Sequence, residues 1–101
     1  MTLTKPHPIA LKRLTDMAHC STDGVLVSIS ARNKEPYANG NGKVFLPCWM
    51  FERQYSECLQ RSWRHELQHA RDGLDGKLYS MTSEEAEKRA CTAERILLIK
   101  E

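Results

Sequence analysis

A chain of 101 residues and 11.6 kDa has room for one domain and one modest core. Hydrophobic residues make up 41%, charged residues 28%, and the formal charge is only +2, which excludes a disordered composition and argues against a dedicated nucleic-acid surface. No apolar run reaches membrane-spanning length, and "MTLTKPHPIALKRL" lacks the apolar segment and cleavage site of a signal peptide, so a cytoplasmic location is expected.

In chain order, Ile9, Leu11, Leu14, Met17 and Ala18 give residues 8–19 a helical stripe. "CSTDG" then reads as a turn, and "VLVSISA" (residues 25–31), rich in β-branched residues, as a strand. "NKEPYANGNG" is a loop with two Asn-Gly steps, and "KVFLPCW" is a returning strand that Pro47 ends or places at a sheet edge. The two strands are expected to form a hairpin. From Glu52 to Arg71 there is no glycine or proline. Tyr55, Leu59, Trp63, Leu67 and Ala70 recur there at helical spacing, with a stop expected at Asp72-Gly73. Thr82, three residues before Glu85, opens a last helix with a capping box, and Ala86, Ala90, Ala93 and Leu97 form its buried stripe. Residues 1–101 thus read as one α+β domain.

Four cysteines (Cys20, Cys48, Cys58, Cys91) show no C-x-x-C pair, which excludes a zinc finger, and a reducing compartment argues against disulfides. Most are expected to be small buried apolar residues.

The stretch "SWRHELQHARDG" carries the chemistry. On a helix, His65 and His69 at i and i+4 share one face and can bind one metal ion. Glu66 then lies beside the ion, where a general base takes a proton from zinc-bound water, so each fixed letter of H-E-x-x-H has a mechanical reason. The alternative is that His65, Glu66 and His69 form only a solvated helix face. A peptidase site also needs a third protein ligand and an open position. Glu87, eighteen residues after His69 on the returning helix, is the first choice, with Glu84 one turn earlier and Asp75 after a sharp reversal left open. Histidine plus carboxylate suits Zn2+ best.

"HELQH" followed by "EKRACTAERILL" resembles the zincin metallopeptidases, above all the branch whose third ligand is a glutamate on the next helix. It is most similar to small intracellular zincins of the ImmA/IrrE type, which cleave repressor proteins and often show a glutamate, an alanine three residues on and paired aliphatics, here Glu87, Ala90 and Leu97-Leu98. The resemblance covers about residues 25 to 99 and implies a minimal zincin-like domain: an N-terminal helix, a β-hairpin, the motif helix and a C-terminal helix. It implies that His65, His69 and Glu87 bind Zn2+ and that Glu66 activates the zinc-bound water. The substrate would be a cytoplasmic protein or peptide, such as a regulator, aligned as an added strand on the sheet edge.

Tyr79, His19 and Arg89 are candidates for an oxyanion donor, although packing on the core suits Tyr79, and surface or capping roles suit His7, His19 and Arg89. Trp49 and Trp63 read as core or pocket wall. Cys91, one turn after Glu87, can approach the site but is expected to be buried packing. Two other functions stand beside the peptidase: a non-catalytic zincin-fold binding module or inhibitor with a structural metal, and a DNA-associated regulator using the N-terminal helix, for which the charge does little.

Overall fold

A computed structural model of the protein describes residues 2–3, 8–30 and 35–96. Of the residues singled out above, His7, Ala31, Leu97 and Leu98 lie outside these. The described chain runs through β1 (Thr2–Leu3), α1 (Pro8–Met17), β2 (Leu26–Ser30), β3 (Tyr37–Ala38), β4 (Lys43–Pro47), α2 (Ser56–Leu74) and α3 (Ser83–Glu94). Helical turns at Cys48–Phe51, Arg53–Tyr55 and Lys77–Ser80 link the later elements. The α+β expectation holds.

The strands form one mixed sheet in the order β1-β2-β4-β3. The expected hairpin between the two long strands is wrong. β2 and β4 lie side by side but parallel, with Leu26 opposite Lys43 and Ile29 opposite Leu46. The hairpin is instead β3 with β4, pairing Tyr37 with Phe45 and Ala38 with Val44. The reason is the length of the connection: it is long enough to carry the chain back before a tight turn at residues 39–42 sends it forward again. Asn39 holds that turn, its side-chain oxygen accepting from the backbone N–H groups of Asn41 and Lys43 at 3.0 and 3.1 Å. Gly42 supplies the left-handed residue, with φ +85°.

Side chains alternate across the strands, so Val27, Val44 and Leu46 face inward onto Leu14 and Met17 of α1 and Leu59, Trp63, Leu67 and Ala70 of α2. Trp63 is wholly buried and donates its indole N–H to the carbonyl of Leu14 at 2.8 Å. The buried Arg64 guanidinium donates to the carbonyls of Met17 and Ile96, tying the ends of α1 and α3 to the middle of α2. α3 lies on α2 through Ala86, Ala90 and Ala93, as expected, and Thr82 caps it by accepting from the N–H of Glu85 at 3.1 Å.

The motif helix differs from expectation at both ends. It starts at Ser56, because two helical turns separated by extended Glu52 first redirect the chain from β4. Tyr55 is therefore exposed and packs edge-to-face on Trp49 at 5.0 Å instead of joining the buried stripe. At the other end the helix continues through Gly73 to Leu74, and the left-handed residue is Gly76, with φ +74°. Gly73 is needed inside the helix because a Cβ there would stand 2.5 Å from the carbonyl oxygen of Gly40.

The cysteines also differ from expectation. All four are free; Cys20, Cys58 and Cys91 are half-buried and Cys48 is exposed, since Cys48 opens a surface turn at the end of β4.

Candidate metal centre

α2 buries one flank against the sheet and α1, and turns His65, Glu66 and His69 towards a trough between the sheet edge and α3. The helix geometry expected from the sequence is present: the two imidazole rings lie 5.0 Å apart, edge to face. α3 returns beside them and brings Glu87 between the two rings. Its Oε2 is 3.3 Å from Nε2 of His65 and its Oε1 is 3.1 Å from Nε2 of His69. A tetrahedral site with metal–ligand bonds of roughly 2.0–2.1 Å has neighbouring ligand atoms about 3.3 Å apart. One ligand atom from each of His65, His69 and Glu87 lies within 4.8 Å of the other two, a spacing that allows a metal ion between them. Both histidine side chains are 19% exposed and Glu87 is 60% exposed, so one side of the cluster faces open space.

The other two candidate ligands lie elsewhere. Asp75 caps α2 and pairs with Arg71 at 3.0 Å, and exposed Glu84 in the first turn of α3 is not brought to the histidines.

Glu94 was not anticipated. Its Oε2 accepts from Nδ1 of His65 at 2.9 Å, which fixes the ring and leaves Nε2 free to act as a ligand. The signal was available, because Glu94 lies seven residues after Glu87 and so on the same helical face.

Glu66 is half-buried beside the histidines. Burial pushes its carboxyl above the ordinary glutamate range; His65 and His69 oppose that rise, while Glu87 and Glu94 add to it. A carboxyl shifted this way is a better proton acceptor once ionised.

Two cavities meet at Glu66. One of about 360 Å³ lies between Pro36–Gly40 on the sheet edge and Ala86 and Glu87 of α3, with His69 in its floor. The other, of about 490 Å³, runs past Pro36, Trp49, Met50, His65 and Glu94. Trp49 is thus a pocket wall and Trp63 is core. A further cavity, of about 710 Å³, opens on the far side of α3 beside His19, Gln68 and Arg89, away from the His65–His69–Glu87 cluster.

None of the suggested oxyanion donors is placed at the cluster. Tyr79 is 96% exposed on the Lys77–Ser80 turn, so the core packing expected for it is also wrong. His19 pairs with the Gln68 side chain at 3.0 Å, and Arg89 holds Asp72. Among the described residues no helix is long and apolar enough to cross a membrane. No protein-family profile, no curated protein and no solved structure matches this chain.

Proposed function

We propose that the protein is a small zinc-dependent metallopeptidase acting on a cytoplasmic protein or peptide. The observation that carries this reading is the convergence of His65 Nε2, His69 Nε2 and the Glu87 carboxylate at 3.1 and 3.3 Å, with Glu66 beside them and one side open. When bound there, zinc would supply Lewis acidity towards water and a peptide carbonyl. The protein's own residues do the rest. Glu66 takes the proton of the attacking water on its carboxylate and returns it to the leaving amine. Glu94 keeps His65 in the tautomer a ligand needs.

β3 supports the choice of an extended peptide as substrate. It is one of the two edge strands of the sheet and borders the cavity that contains His69 and Glu87, so a peptide paired with its outer edge, which no described strand occupies, would pass over Glu66.

The test is elemental analysis together with cleavage of a mixed peptide library, for the wild type, His69→Ala and Glu66→Gln. About one zinc per chain is expected in the wild type and Glu66→Gln, none in His69→Ala, and cleavage by the wild type alone. Zinc without cleavage in any condition would replace the peptidase by the binding module with a structural metal. Cleavage by Glu66→Gln at the wild-type rate would refute the assigned base.

A further inference from the structure

α3 presents Glu87, Cys91 and Glu94 at i, i+4 and i+7, a single stripe towards α2. The proposed hydrolytic centre uses only the first as a ligand. The other two stand with His65: one ligand atom each from His65, Cys91 and Glu94 lie within 4.8 Å of one another, and all three residues are half-buried. The contact of Glu94 with His65 is to Nδ1, whereas Glu87 approaches Nε2, so the two groups use opposite edges of one imidazole.

We propose that His65 Nδ1, the Cys91 thiolate and the Glu94 carboxylate form a second metal position, for a thiophilic divalent ion such as zinc or cadmium. A thiolate with an imidazole and a carboxylate suits those ions and not magnesium or calcium, which take oxygen. Filling it releases the thiol proton of Cys91 to solvent and displaces the Nδ1 proton of His65, which moves to Nε2 when that nitrogen is unligated and goes to solvent when Nε2 also holds a metal, so the ion replaces the His65–Glu94 hydrogen bond. An imidazole ligated at both nitrogens must be an imidazolate, and Glu94 can no longer orient the ring. The two positions therefore weaken each other reciprocally, and an excess of zinc acts against the hydrolytic centre. Only this linkage rests on the peptidase reading; the second position stands without it.

Cobalt(II) titrated into the metal-free full chain reads the two positions separately, because only a thiolate ligand gives a near-ultraviolet sulfur-to-cobalt charge-transfer band. The band is expected to grow in the wild type and in Glu87→Gln, and to be lost in Cys91→Ser, where the visible bands of a nitrogen–oxygen site remain. Zinc should also protect Cys91 from a thiol-alkylating reagent in Glu87→Gln, which reads the position without replacing the cysteine. No charge-transfer band at any cobalt ratio, a band undiminished in Cys91→Ser, or unprotected Cys91 would each overturn the proposal. A thiolate band lost in Cys91→Ser with no visible bands left behind would keep this position and remove the hydrolytic one.

Discussion

Two carboxylates six residues apart on α2 have opposite fates. Asp72 is 0% exposed, yet Arg89 of α3 grips both its oxygens at 2.9 Å and Gln68 donates to one of them at 2.9 Å. Glu66 is less buried, and among the described residues no donor is hydrogen-bonded to its carboxylate. The same helix pair thus saturates one acid and leaves the other without a donor. A saturated buried acid locks helices together, whereas one without donors has basicity to spend on a substrate.

That contrast can be broken at several points. Glu66→Gln removes the acceptor and should lower peptide hydrolysis by about 10²–10⁴-fold with zinc content unchanged, measured as initial rates on a cleaved peptide. Arg89→Ala leaves the Asp72 carboxylate buried with Gln68 alone. It should cost about 2–3 kcal/mol in urea unfolding, below the figure for a fully buried pair because Arg89 is 44% exposed. Zinc affinity corrected for folding should not change, and a large drop there would mean that the two acids are coupled.

Glu94→Gln tests the orienting hydrogen bond and should weaken zinc binding about 10–100-fold in a competition titration with a chelator. An unchanged affinity would show that His65 is held by packing alone. Gly73→Ala pushes a methyl group against the Gly40 carbonyl and should destabilise the fold by about 1–3 kcal/mol.

The smallest effect concerns pH. Glu66 has its carboxyl raised on folding, so in the metal-free protein the native state holds a proton that the unfolded chain has already released. Native stability should then fall as pH rises from about 4 towards neutrality, and Glu66→Gln should flatten that part of the profile. Denaturation midpoints across this range, for both proteins without metal, check the sign.

What was legible in the sequence was local. The i, i+4 histidines, the stripe of Ala86, Ala90 and Ala93 and the Thr82 cap each depend on residues within a few positions, and each lies where its spacing put it. What depended on chain path was not legible. The same Asn-Gly turn closes a hairpin whether its partner is β2 or the two-residue β3, and the local residue pattern does not distinguish the two. Gly73 looked like a helix stop because its sequence does not reveal that the Gly40 turn will pack against it. Glu94 is a different case: its helical phase is readable, but spacing alone does not separate a carboxylate that orients a histidine from one that lies on a solvated face.

The close approach of Gly73 to Gly40 has a consequence for the trough. The helix that carries the histidines touches, one turn beyond His69, the tip of the hairpin whose outer strand forms the opposite wall. With no side chain between them, the backbones act as a spacer of fixed thickness. The gap between the histidines and β3 therefore depends on this glycine contact as well as on the residues that line it.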